Sequence, residues 1–276
     1  MALRSGLSEE LNSQGNEHFS RGYYTEAYAC YAKALECDRL TGDQRALAAT
    51  LGNIGNICAV SGRRDAAQAY YQEVLELQKI LGDEKGIGTT LANLGNLRAD
   101  SGEWDRARAY YLEALDLMTK THDVAAEAVL FSDLGLVARE TGQFDEAIRC
   151  YERALVLMRR LDNHGGVADV WRMIGRTFLV QKRYDDAIAC CQTSQSIAER
   201  SRDELRAGGA RYVLVQCYEE TGRLREAADL LEQVVHMDRK YHFPKLEENT
   251  RRLTALRARL MAQDPRPLPP PRETRA

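Results

Sequence analysis

The sequence predicts an all-α fold, an α-solenoid in which six helix–turn–helix repeats stack and a further helix caps the array. The main observation is a spacing of 40 residues between residues of the same type. Alanine follows this spacing without a gap, at Ala27, Ala67, Ala107, Ala147, Ala187 and Ala227. Two glycine series follow it as well, at Gly22, Gly62, Gly102, Gly142 and Gly222 and at Gly15, Gly55, Gly95, Gly135 and Gly175. A fixed period of roughly 20–50 residues is typical of stacked repeats, in which each unit buries its apolar face against its neighbours.

The third repeat shows how one unit is built. Asp83 is placed to cap a first helix, and Gly102 ends it because glycine readily adopts a left-handed backbone. Asp105 then lies in the first turn of a second helix, where a negative charge interacts favourably with the helix dipole. The apolar faces are formed by Leu91, Leu94 and Leu97 in the first helix and by Ala107, Tyr110, Tyr111, Ala114 and Leu115 in the second. Small residues such as Gly55 and Ala67 are expected to let the two helices approach closely.

The same chemistry recurs in every unit until the repeats diverge near the end. The predicted cap positions are Asp43, Asp83, Asp123, Asn163 and Asp203. The predicted units are 8–42, 43–82, 83–122, 123–162, 163–202 and 203–243, followed by a capping helix at 244–262 and a disordered tail at 263–276. The fifth unit has Lys182 where the turn glycine is expected and Cys191 where the other units have an aromatic residue. Such divergence is expected in terminal units, since one face of the array must meet water.

Composition and charge exclude several classes of function. The chain has 276 residues and a net charge of −3, which gives no reason to expect binding to nucleic acid. No apolar run is long enough to span a membrane, and the N-terminal residues do not resemble a signal peptide, so we expect a cytoplasmic protein. The seven cysteines show no CxxC spacing and are interpreted as reduced thiols, partly buried in the helices. A redox or metal role for the adjacent Cys190 and Cys191 is the alternative.

The repeat pattern resembles the tetratricopeptide repeat. The matching positions in the third unit are Leu91, Leu94, Gly95, Gly102, Ala107, Tyr111 and Ala114. The usual unit has about 34 residues, and the longer unit of this chain is similar to those of LGN/Pins polarity adaptors and of kinesin light chain. The resemblance covers residues 8 to 240 and implies a right-handed superhelix of helix pairs with a concave groove.

The resemblance also implies that one side of each first helix lines this groove, namely the side opposite the leucines and the helix glycine. Over the first three units that side carries six asparagines: Asn12, Asn16, Asn53, Asn56, Asn93 and Asn96. A side-chain amide offers two donors and an acceptor, which suit the backbone of an extended peptide. We therefore predict a peptide-binding ladder. The alternative, that these asparagines join neighbouring helices within the scaffold, remains open.

Beyond the asparagines the groove is predicted to become charged, at Asp133, Arg139, Arg172 and Arg176. Arginine is suited to two-point binding of a carboxylate, so Arg172 and Arg176 are predicted to pair with an acidic side chain of the partner. The alternative is that these residues are solvated surface charge.

No motif points to catalysis. The five histidines share no metal-ligand spacing, and the chain has neither a phosphate-binding loop nor a nucleophile elbow. We therefore expect no enzyme activity, no cofactor and no metal. The leading hypothesis is an adaptor that binds a protein or peptide partner in its groove, and the alternative is a self-associating scaffold that forms homo-oligomers through its terminal repeats.

The C-terminal tail is rich in proline and arginine. Residues 267–272 fit the PxxPx[KR] pattern of SH3 ligands, whose prolines favour an extended conformation. Because such short patterns arise easily by chance, a disordered basic tail is favoured over an SH3-binding role.

Overall fold

The computed structural model describes the backbone of residues 2–263 and the side chains of residues 6–262. Thirteen α-helices and no strands occur in this range. The helices are α1 (Ala2–Ser20), α2 (Tyr24–Thr41), α3 (Gln44–Val60), α4 (Arg64–Leu81), α5 (Glu84–Ala99), α6 (Trp104–Lys120), α7 (Val124–Glu140), α8 (Phe144–Arg160), α9 (His164–Val180), α10 (Tyr184–Arg200), α11 (Glu204–Glu220), α12 (Leu224–Lys240) and α13 (Leu246–Gln263). None of these helices is long and apolar enough to cross a membrane.

The chain divides into two compact units, which are described separately. Unit 1 covers residues 1–143 and contains α1 to α7, and unit 2 covers residues 144–276 and contains α8 to α13. Consecutive helices pack on one another within each unit, which confirms the predicted all-α solenoid of helix pairs. In unit 1 the first helices of successive repeats also contact each other, whereas α2, α4 and α6 make no such contacts within residues 2–140. The surface formed by α1, α3, α5 and α7 is therefore the inner side of unit 1, and we call it the first-helix face.

The predicted caps explain where the first helices begin. Each of α3, α5, α7, α9 and α11 follows an Asp or Asn whose side chain accepts a hydrogen bond from a backbone N–H of the first turn. Asp83 Oδ1, for example, accepts from the amide of Gly86 at 2.9 Å. Such a bond satisfies one of the N–H groups that the start of a helix leaves without a partner.

Turns with a left-handed residue separate the helices at intervals of 20 residues. Glycine occupies seven of these positions, and five hold another residue: His122, Asp162, Lys182, Arg202 and His242. Lys182 has φ of 60° and so adopts the conformation of the turn glycines that it replaces. The following amide, of Arg183, donates to the carbonyl of Phe178 at 2.9 Å, a bond typical of helix C-termini with a left-handed residue.

The helix glycines of the first three repeats make room for a buried tyrosine. A Cβ atom on Gly55 would lie 2.7 Å from Cε1 of Tyr71, and Gly15 and Gly95 face Tyr31 and Tyr111 in the same way. The contact differs from the expected glycine–alanine approach, because the ring of Tyr71, rather than Ala67, lies against Gly55. Each glycine therefore brings a tyrosine hydroxyl close to the inner side of the stack.

The last helix completes the core of unit 2. Leu253, Leu256 and Leu260 of α13 are buried in one apolar cluster with residues of α10, α11 and α12. Of the tail predicted at 263–276, Gln263 is the last residue of α13, and residues 264–276, which include the segment weighed as an SH3 ligand, lie outside the described residues.

Candidate peptide-binding face

Three tyrosine–asparagine hydrogen bonds line the first-helix face, one in each of the first three repeats. The hydroxyl of Tyr71 on α4 donates to Oδ1 of Asn56 on α3 at 2.8 Å. The equivalent bonds, each 2.7 Å long, join Tyr31 to Asn16 and Tyr111 to Asn96. Each asparagine directly follows the glycine that accommodates the tyrosine ring, so the glycine determines where the hydroxyl lies.

These bonds orient the asparagine amides. Because Oδ1 faces the tyrosine, the Nδ2 group of Asn16, Asn56 and Asn96 points the other way, and it donates to no other residue within 6–262. Asn16 and Asn96 are exposed, and Asn56 is half-buried. Each Nδ2 carries two N–H donors, so the face presents donors at a spacing of one repeat.

Burial keeps the tyrosines in their neutral form. It raises the pKa of Tyr31 and of Tyr71 to about 12 and that of Tyr111 further still. The hydroxyls therefore remain protonated donors at neutral pH, and the orientation of the amides does not change over the physiological range.

The other three predicted asparagines, all half-buried, use their amides within the scaffold. Nδ2 of Asn53 donates to Oδ1 of Asn12 at 3.1 Å, and Nδ2 of Asn12 donates to Oγ1 of Thr50 at 2.7 Å. Nδ2 of Asn93 lies 3.5 Å from Oδ1 of Asn56. These contacts join successive first helices, as the scaffold alternative expects, and they align the residues that carry the free donors.

A buried carboxylate anchors the N-terminal end of this arrangement. Asp38, at the end of α2, accepts from Oγ1 of Thr50 at 2.6 Å and from Oγ of Ser8 at 2.5 Å, and all three side chains are buried. This cluster was not predicted, because the equivalent position holds Gln78, Met118, Met158 and Ala198 in the next four repeats and becomes aspartate again only at Asp238.

Asp133 lies on α7, one repeat beyond Asn93. Its carboxylate is half-buried and has no hydrogen bond or ion pair with any residue in 6–262. Burial raises its pKa from the ordinary value of 3.8 to about 7. Its charge also acts on the hydroxyl of Tyr111, so it lies near the Tyr111–Asn96 pair.

The three predicted arginines differ in how deeply they are buried. Arg139, in unit 1, is buried and donates through Nε and Nη2 to Oε1 of Glu140, at 3.1 and 2.6 Å. Arg172 and Arg176 lie on α9, in unit 2. Nη2 of Arg172 donates to Asp169 at 3.2 Å, and Arg172 is half-buried while Arg176 is exposed.

The part of the chain that the structure describes offers no group of three or more His, Cys, Asp or Glu side chains able to hold a metal ion. All seven cysteines are free thiols. Burial raises the pKa of Cys190 and Cys217 to about 11 and that of Cys191 further. These thiols are therefore protonated and poorly nucleophilic at neutral pH.

Known structures with a similar fold span most of the chain. BtubC (BKLC) from P. vanneervenii is 18% identical, with 96% of each chain covered and a TM-score of 0.61. A Rap protein complexed with competence and sporulation factor is 16% identical over 92% of this chain and 75% of its own, with a TM-score of 0.66. A putative kinesin light chain from Podosopora anserina is 13% identical over 73% of this chain and 99% of its own, with a TM-score of 0.60. At these identities the likeness concerns the fold alone.

Sequence comparison identifies the family. No curated protein matches the chain. The tetratricopeptide repeat model matches residues 11–80, 47–120, 86–160, 126–179 and 166–240, which together cover most of the sequence. The predicted resemblance is thus confirmed, and the chain belongs to the tetratricopeptide repeat family.

Proposed function

We propose that this protein is a non-enzymatic, cytoplasmic adaptor that binds an extended segment of a partner protein along the first-helix face of unit 1. The observation that carries the proposal is the row of three asparagine amides, at Asn16, Asn56 and Asn96, whose free donors point away from the tyrosines. A protein of this family whose inner face offers donors at regular intervals is suited to binding main-chain carbonyls.

The asparagine amides are preorganised for binding an extended peptide. An extended peptide presents backbone carbonyls that lose their water when it binds, and each of them then needs a donor. The tyrosine hydroxyls already hold the asparagine amides in one orientation, so less side-chain entropy is lost on binding. The Rap protein complexed with competence and sporulation factor supports the proposal as a case of ligand binding by a similar fold.

Arg172 and Arg176 on α9 of unit 2 provide a separate candidate contact with the partner protein. Arg176 is exposed and Arg172 is half-buried beside Asp169. A partner carboxylate is suited to the planar guanidinium groups of both residues. We propose that they bind an acidic side chain of the partner. Arg139 is left out, because its guanidinium is buried and already paired with Glu140.

The test begins with peptides that bind the chain, selected from a displayed library of random peptides. Their affinities are then measured by fluorescence anisotropy for the wild type and for the double variant Asn56→Ala/Asn96→Ala. We expect binding to weaken at least about tenfold, which corresponds to about 1.4 kcal/mol and is a modest loss for two sets of hydrogen bonds.

The matched control is Gln72→Ala, which removes an exposed amide from α4 that forms no hydrogen bond within residues 6–262. This variant should bind as the wild type does. Circular dichroism and thermal melting check that all variants remain folded. Full affinity in the folded double variant would refute the proposed binding face.

A further inference from the structure

Asn53 and Asn93 occupy equivalent positions in successive first helices, and the next residue of this series, Asp133, is an acid. Asn53 and Asn93 each donate a hydrogen bond to an asparagine of the preceding repeat, namely Asn12 and Asn56. The residue one repeat after Asn93 is Asp133, and an ionised carboxylate can only accept hydrogen bonds. An ionised Asp133 therefore cannot donate to the preceding repeat as Asn53 and Asn93 do, and its carboxylate has no partner within residues 6–262.

Within residues 6–143, Asp133 forms no hydrogen bond or ion pair with a basic side chain. Its helix, α7, packs against α5 and α6 of unit 1. On α6, the hydroxyl of Tyr111, which donates to Asn96, feels the negative charges of both Asp133 and Asp100, the residue that follows α5. Of the two basic side chains of α5, Arg98 donates to Glu103 and Gln68, and Lys85 pairs with Asp123.

We propose that Asp133 receives a lysine or arginine side chain of the bound peptide, so that the partner segment carries a basic residue at a fixed place. The inference rests on the proposed peptide-binding face and specifies which peptides it selects. A half-buried carboxylate without a donor complements a group that brings both positive charge and several N–H donors. A divalent cation does not suit the position, since no group of metal-ligating side chains surrounds it in the described residues.

The proposal predicts that binding depends on pH. The pKa of Asp133 is about 7, so roughly nine carboxyls in ten are ionised at pH 8 and one in ten at pH 6. A basic side chain binds the ionised form. Affinity should therefore fall about tenfold as the pH falls from 8 to 6, while lysine and arginine in the peptide keep their charge throughout.

The experiment uses histidine-free peptides from the displayed library that lose affinity in Asn56→Ala/Asn96→Ala and hence bind the proposed face. These peptides are expected to share a lysine or arginine. Its replacement by norleucine should weaken binding to the wild type at least tenfold but affect binding to Asp133→Asn less than twofold. The pH dependence should be present in the wild type and absent in Asp133→Asn, which keeps the shape of the side chain.

Two results are distinguishable. If peptides bind the face without a shared basic residue, or if norleucine weakens both proteins equally, the role of Asp133 is refuted and the proposed face stands. If no selected peptide is weakened by Asn56→Ala/Asn96→Ala, the proposed face is refuted, and the role of Asp133 with it.

Discussion

Two glycines of α3 provide a direct test of the packing that positions the asparagines. A Cβ atom at Gly55 would lie 2.7 Å from Cε1 and 3.0 Å from Cδ1 of Tyr71, whereas a Cβ at Gly52 would meet nothing within 4 Å. The ring of Tyr71 is only 2% exposed, and its hydroxyl is bonded to Asn56, so it has little room to move. The same substitution, glycine to alanine, should therefore have opposite effects three residues apart in one helix.

The magnitudes follow from two opposing effects. Alanine is favoured over glycine within a helix by about 1 kcal/mol, and Gly52→Ala should gain up to that amount. Overpacking of a well-filled core costs about 1–3 kcal/mol. The free energy of unfolding of Gly55→Ala should therefore be about 1–3 kcal/mol lower than that of Gly52→Ala. Urea unfolding followed by circular dichroism measures the difference. Because repeat arrays can unfold in parts, hydrogen exchange of the α3 amides should be measured as well. Equal stability of the two variants would refute the claim that the ring of Tyr71 packs directly against Gly55.

Three further predictions concern single side chains. Lys182→Gly should stabilise the protein by about 1 kcal/mol in urea unfolding, because a left-handed lysine is strained where glycine is not; an unchanged or lower midpoint would contradict this. Tyr71→Phe removes the hydroxyl that orients Asn56 and should cost about 1 kcal/mol of stability, together with a measurable loss of peptide affinity; unchanged peptide binding would show that the orientation is irrelevant. Asp133 has a folded pKa raised from 3.8 to about 7, so the stability it contributes is fully present below about pH 4 and is lost as the pH rises through 7. That shift sets an upper limit of about 4 kcal/mol, which partial solvent access reduces to about 2 kcal/mol. Asp133→Asn should accordingly be more stable relative to the wild type at pH 8 than at pH 5, and parallel pH profiles in urea unfolding would contradict the assignment.

The helices and their starts could be predicted because they depend on local chemistry. Asp83 and its equivalents cap a helix through bonds to residues two or three places ahead, and such short-range signals are present in any one stretch of sequence. The turn glycines act in the same local way. The repeat spacing then extended the assignment from one unit to the whole array.

The tyrosine–asparagine pairs could not be predicted, because they join residues on different helices. Tyr71 and Asn56 are 15 residues apart, and their bond depends on how closely Gly55 lets the two helices approach. The sequence indicated a core tyrosine and a groove asparagine separately, without the contact between them. The burial of Arg139 was missed for a similar reason, since a long side chain can fold back onto a neighbour such as Glu140.

The central claim is that the free donors of Asn16, Asn56 and Asn96 bind the backbone of a partner peptide. The most direct test is NMR of the side-chain amide groups while a library-selected peptide is titrated to saturation. We predict that the Nδ2 signals of these three asparagines shift on binding, whereas that of Asn163, which caps α9 in unit 2, does not. Saturating binding with the three signals unchanged would contradict the account.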